Sequence, residues 1–254
     1  MHIHLADFTG LLLVYFLVFA RTGAMIMLLP GVGEAGVPSR VRLVLALAIS
    51  FAFAPTVAHQ YPAHIPGNEL ALGLLLFQEL TAGLLIGAMA RVLMSALSVA
   101  GNLIAMQTGL SYAQQVDPTT SQQDVVVGNF ISLLGVVLIF ATNLHHLAIG
   151  AVAGSYSMIP PGAALPTGDM AELTVRLVSG SFALGLQLAA PFLVFGFAVN
   201  AAMGLLARLM PQLQVFFIAM PINILAGFAL MMLLIGSMMT LFLSYFAQQM
   251  GSFG

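Results

Sequence analysis

The chain contains no cysteine, so disulfides, thiol chemistry and cysteine-ligated metal are excluded. It has very little charge. Only 6% of its 254 residues are ionic, against about 25% in an ordinary soluble domain. The basic residues are six arginines with no lysine, set against eight acids, for a formal net charge of −2. That balance gives no reason to expect a nucleic-acid partner. Hydrophobic residues make up 61% of the chain, and mean hydropathy is +1.07. A soluble surface for a protein of this length cannot be built from so few charges, and an integral membrane protein follows.

The N-terminus has no arginine before Arg21 and becomes apolar again after it, unlike a cleaved secretory signal. It reads as a retained first helix, Phe8 to Leu29, ended by the Gly- and Pro-rich "PGVGEAGVPSR". A second apolar segment covers Val41 to Ala58, with Arg40 and Arg42 at its start, which under the positive-inside rule favour the cytoplasmic side for that connection without fixing the orientation. A third runs from Glu69 to about Met106. At about 1.5 Å per residue it exceeds a hydrocarbon core of about 30 Å, so it either protrudes or breaks near Gly83, Gly87 or Gly101. A fourth, Val125 to Tyr156, is long enough for two short helices around "ATNLHHLAIG". The loop "PPGAALPTGD" ends in Thr167 or Asp169 as the expected helix cap. Two last segments, Met170 to Leu209 and Gln212 to Gln249, are joined by "RLMPQL" and predict an antiparallel helical hairpin.

Between the third and fourth segments lies "MQTGLSYAQQVDPTTSQQDVVVGN". From Gln107 to Asp124 it holds five Gln, two Asp, three Thr, two Ser and one Pro. Composition alone reads it as a polar connection between helices. Gly83/Gly87 and Gly150/Gly154 are GxxxG pairs, whose spacing allows helix backbones to approach closely. Glu79 and Arg91 are intramembrane ionic residues on one segment. They are twelve positions apart, about 18 Å on a straight helix, and so are not a direct pair. Arg21, Arg91 and Arg176 lie within or beside apolar segments, where they either snorkel or pair inside an assembly. His145 and His146 are adjacent and point about 100° apart on a helix, a poor geometry for one metal. His2 and His4 offer no better site, and no metal is expected. No P-loop or dinucleotide fingerprint appears, and no cofactor is expected. The Gly-x-Ser of "TGLSYA" makes Ser111 a weak candidate nucleophile, with His145 or His146 as base. The sixteen methionines read as adaptable apolar filling.

Four stretches together resemble one family. "GLSYAQQVDPTT" is similar to the mid-chain signature of the FliR family, the flagellar type III export-gate proteins. "VPSRVRLVLALAISFAFAP", "NLHHLAIG" and "RLMPQLQVFFIAMPINILAG" follow the family's order. The resemblance covers nearly the whole chain. It implies an all-α integral membrane protein of long bent helical hairpins. A FliP-like part over 1–158 would be followed by a linker, 159–168, and a FliQ-like hairpin, 169–254.

The implied role is that of a non-enzymatic export-gate subunit in the bacterial inner membrane, within the flagellar basal body. Its implied partners are FliP-like and FliQ-like subunits, FlhB-like and FlhA-like export components, unfolded flagellar substrates and membrane lipid. The resemblance also implies that 107–123 is a loop closing the pore, with Gln107, Gly109, Leu110, Ser111, Tyr112, Val116, Asp117 and Pro118 as its matching residues. Physics is compatible with this: Gln, Ser and Thr give replaceable hydrogen bonds, while Leu110, Tyr112 and Val116 supply apolar closure. Gly109 permits an unusual backbone and Pro118 a stiff bend. Two other readings stand beside it. One is a stand-alone secondary transporter built on Glu79, Arg91 and a broken helix at Pro221–Asn223. The other is an intramembrane serine hydrolase using Ser111 and a histidine.

Overall fold

A computed structural model describes residues 5–62, 68–111, 126–210 and 215–252. Helices account for nearly all of them: α1 (Leu5–Leu28), α2 (Ser39–Val57), α3 (Glu69–Thr108), α4 (Val126–Ala141), α5 (His145–Met158), α6 (Thr167–Leu209) and α7 (Val215–Gly251). A single 3-10 turn, Ala58–Gln60, follows α2, and no strand occurs among the described residues. Among the described residues, five helical stretches are long and apolar enough to cross a membrane, or six when the α4–α5 pair, bent by 74°, is taken as one span.

The residues that start and stop these helices act by familiar chemistry. α4 ends where Asn143 adopts φ 60°, a left-handed conformation that asparagine tolerates. The Asn143 N–H donates to the Phe140 carbonyl, and the Leu144 N–H to the Ile139 carbonyl. This pair of bonds is a Schellman motif, and it produces the bend expected inside the fourth segment. In the loop after α5, Pro161 and Gly162 (φ 82°) occupy the central positions of a turn closed by Ala163 N–H to Pro160 carbonyl at 3.1 Å. The start of α6 differs from expectation. Thr167 is already helical, and the Pro166 carbonyl accepts the Met170 N–H, so the cap is Pro166. Asp169 lies in the first turn, where its charge suits the helix dipole.

α3 settles the choice left by its length: it is one unbroken helix of 40 residues. Gly83 and Gly87 do not break it because they serve as a seat for α1. A Cβ on Gly83 would collide with the Arg21 carbonyl and come within 2.9 Å of Ala24 Cβ. A Cβ on Gly87 would lie 2.7 Å from Leu28 Cβ. The helix-propensity cost of each glycine, about 1 kcal/mol, is offset by the close contact it permits.

By internal contacts the described chain forms two compact units. The first comprises 1–93, 139–177 and 246–254; the second comprises 94–138 and 178–245. These are spatial groupings and do not address the linear division at 159–168. In the first unit α1 packs on α2, where the Tyr15 hydroxyl donates to the Leu47 carbonyl at 3.2 Å. In the second, Gly180 of α6 faces the Tyr245 hydroxyl of α7. Gly180 lies 29 residues before the end of α6 at Leu209 and Tyr245 lies 30 residues after the start of α7 at Val215, the register of an antiparallel hairpin. Also in this unit, Gly101 of α3 lies against the backbone of Gly128 on α4, leaving no room for a side chain at 101.

The glycine geometry separates the two GxxxG pairs. Gly83→Leu is expected to force α1 off α3 at a cost of roughly 1–3 kcal/mol, seen as faster proteolysis of the chain in isolated membranes. Gly150→Ala, whose new methyl group meets nothing within 4 Å, is expected to leave that rate unchanged.

Candidate functional site

In the first unit Arg21, about two turns before the end of α1, is fully buried. Its guanidinium answers the carboxylate of Glu79 on α3, itself 0% exposed: Nε to Oε2 at 2.7 Å and Nη2 to Oε1 at 3.1 Å. Nη1 donates to Ser155 Oγ on α5 at 3.0 Å, and Nη2 also reaches the Ile159 carbonyl at 3.0 Å. The Tyr156 ring lies 3.9 Å from the guanidinium carbon, completing the enclosure with a cation–π contact. The Ser155 hydroxyl in turn donates to the Val152 carbonyl at 2.6 Å. One arginine therefore ties α1 to α3, to α5 and to the chain that leaves α5.

Gln78, beside Glu79, extends this clamp. Its Nε2 donates to the Pro160 carbonyl at 2.8 Å, and its Oε1 accepts the Gly162 N–H at 2.9 Å. Both amide ends are thus spent on the turn after α5. Tyr61 closes the cluster, its hydroxyl 3.4 Å from that of Tyr156. Burial pushes the Tyr61 phenol far above its usual range, helped by the neighbouring Tyr156, so it stays a neutral hydroxyl.

Arg91 plays a separate part. Nε donates to the Leu28 carbonyl at 3.2 Å, capping the C-terminal end of α1, and Nη2 to the Gly33 carbonyl in the following turn at 3.3 Å. Glu79 and Arg91 do not converge on one binding site. Arg176, exposed, pairs with Glu172 one turn earlier at 2.7 Å. His145 stacks on Phe140 with ring centroids 4.9 Å apart and lies tilted against His146 at 4.1 Å. No group of three or more metal-ligating side chains occurs among the described residues. Gly150 faces open space, while Gly154 lies in α5 one residue before Ser155.

In the second unit α3 ends at Thr108. Gly109 then takes φ 79°, in the left-handed region that favours glycine. Gln107 rests against Gly196 of α6, and its carbonyl accepts Asn223 Nδ2 of α7 at 3.3 Å. Leu110 lines an apolar groove of about 400 Å³ with Val127, Phe130, Phe228 and Met231. Ser111 is half-buried. Tyr112, Val116, Asp117 and Pro118 lie outside the described residues. Sequence reasoning named Gln107 and Gly109 but missed Asn223 as their neighbour, and it missed Arg21 as the partner of Glu79. A signal for the latter existed: one acid and one arginine, each isolated in an apolar run, favour mutual neutralisation.

These features define a helical membrane protein whose interior charges fix helices to one another. A family model, Bacterial export proteins, family 1, matches residues 12–249. The chain is 43% identical over 217 residues to the flagellar biosynthetic protein FliR of Caulobacter vibrioides, covering 85% of this chain and 86% of that one. It is 31% identical over 218 residues to FliR of Escherichia coli, covering 85% and 82%. It is also 29% identical over 219 residues to Yop proteins translocation protein T of Yersinia pestis, covering 84% and 82%. The chain belongs to the FliR family of bacterial export proteins. It is a membrane subunit of the type III export apparatus and a structural component rather than an enzyme. That membership overturns the hydrolase reading of Ser111, and the separate engagement of Glu79 and Arg91 removes the geometric basis of the transporter reading.

The clamp gives a double-mutant test. Arg21→Leu or Glu79→Leu alone leaves a buried charge without its partner, at an expected cost of roughly 3–5 kcal/mol. The Arg21→Leu/Glu79→Leu double variant is expected to recover most of that loss. Protease resistance of the chain in membranes reads the cycle; a double variant as sensitive as the sum of the singles would contradict it.

Proposed function

We propose that the chain assembles with FliP-like and FliQ-like subunits in the bacterial inner membrane, at the flagellar basal body. Together they form the channel through which unfolded flagellar proteins leave the cytoplasm. FlhB-like and FlhA-like components act beside it, and membrane lipid covers apolar surface left free by the partners. In this reading 1–158 corresponds to a FliP-like part and 169–254 to a FliQ-like hairpin. The segment 107–123 closes the resting pore.

The observation that carries the reading is the family match, which runs from residue 12 to residue 249 and includes several relatives named as flagellar biosynthetic proteins. Helix length supports it. α3 and α6, with 40 and 43 residues, reach about 60 Å or more at about 1.5 Å per residue, twice a hydrocarbon core of about 30 Å. A helix of that length needs protein neighbours beyond the lipid. Large apolar side chains remain exposed along both, among them Leu74, Phe77, Val175, Phe182 and Phe197, and such faces suit partner helices as well as lipid.

For the closure segment, the sequence supplies hydrogen-bonding side chains without a high density of charge. A path for diverse unfolded chains needs that kind of weak, exchangeable contact. Gly109, with its left-handed backbone, redirects the chain at the start of this segment.

Deleting 107–123 is expected to leave the complex assembled but leaky to small ions. Membrane conductance no higher than that of the intact complex, in cells that still build it, would count against the closure role. Separately, the chain expressed alone is expected to be heterogeneous on size-exclusion chromatography and to become monodisperse when co-expressed with FliP-like and FliQ-like proteins. A stable, monodisperse monomer would argue for a protein that works alone.

A further inference from the structure

Gln107, Thr108 and Gly109, where α3 ends, are gripped by two other helices. Thr108 fills the space left by the missing side chain of Gly227 on α7. A Cβ there would collide with Thr108 Cγ2 and lie 2.8 Å from Thr108 Cβ. Gln107 does the same against Gly196 on α6, where a Cβ would come within 2.9 Å of Gln107 Cδ. The Gln107 carbonyl is one of the last four of α3, a group that a helix cannot satisfy from within. Asn223 Nδ2 reaches it at 3.3 Å. The same amide nitrogen is the nearest neighbour of Gly109, 3.4 Å from where a Cβ would stand.

Asn223 carries a second mark. Its Oδ1 is buried and has no hydrogen-bond partner among the described residues. An unpaired buried amide oxygen is unfavourable, and an aliphatic side chain of similar size would avoid it. The benefit of an amide at 223 therefore lies in its donor, which is directed at Gln107.

We propose that Asn223, Gly196 and Gly227 form a socket that fixes where the chain leaves α3, and that they are positioning residues for the segment beginning at Gln107. The C-terminal hairpin would thereby set the resting position of that segment. The inference rests on the reading of 107–123 as the closure, but the two have separate readouts. Ion leak after deletion tests the closure, whereas local exposure tests the socket.

Because the chain has no cysteine, Ser111→Cys introduces a single thiol two residues past Gly109. Its labelling rate by a charged maleimide is measured in membranes of cells co-expressing cysteine-free FliP-like and FliQ-like proteins. Adding Asn223→Leu is expected to raise that rate on the order of fivefold, the population shift produced by losing one neutral hydrogen bond. Gly227→Ala is expected to raise it likewise, and Thr108→Gly, which vacates the colliding side chain, to bring it back toward the parent. With the chain present at its parental level, a rate unchanged by Asn223→Leu overturns the socket. If Asn223→Leu lowers the amount of chain, the Gly227→Ala pair decides: a rate unchanged by Gly227→Ala, or one that Thr108→Gly fails to restore, overturns it.

Discussion

An arginine cannot shed its charge in a protein, so one buried in an apolar helix must be answered by its surroundings. Arg21 is answered from several directions: the carboxylate of Glu79, the Ser155 hydroxyl, the Ile159 carbonyl and the face of Tyr156. Each answer comes from chain that must be held in place to give it. The stripe on α3 shows how the requirement spreads. Glu79, Gly83 and Gly87 recur at every fourth residue, on one helical face. The first supplies charge, and the next two supply room for the Arg21 carbonyl, Ala24 and Leu28. Close approach and neutralisation are therefore two uses of the same face.

Such a cluster would elsewhere suggest proton or ion handling, since an intramembrane carboxylate is a functional candidate by default. Its geometry points to another use. Both carboxylate oxygens are engaged by one guanidinium, and Gln78 gives both ends of its amide to the turn after α5. The groups nearest the carboxylate are used for attachment. That agrees with a family whose role in export is structural.

Much of the helical layout was legible from sequence because it depends on local signals. Apolar runs, Pro and Gly clusters and a polar mid-chain segment gave the helices to within a few residues. Local patterns failed where the outcome depends on what lies opposite. Gly83/Gly87 and Gly150/Gly154 have the same spacing, yet the first pair seats a helix and Gly150 meets nothing within 4 Å. Glycine also looked like a reason for α3 to break, whereas packing against α1 keeps it whole. Glu79 was weighed against Arg91 because the two share a helix. Its partner is 58 positions away on α1, a distance no helical period can register. Asn223 and Gln107 are 116 positions apart and share no motif. Their meeting depends on how the last hairpin folds back.

The two polar clusters differ in the strength of their bonds, and that difference bears on which parts of an export subunit can move. Breaking a buried ion pair leaves a charge stranded, at roughly 3–5 kcal/mol, so the Arg21–Glu79 pair suits parts that stay fixed. The bond from Asn223 to the Gln107 carbonyl joins two neutral groups, and such a bond contributes about 1 kcal/mol. It can be broken and remade within a working cycle. On the proposed reading, the closure segment is attached through contacts weak enough to yield to a passing chain, while ionic contacts keep the surrounding helices in place.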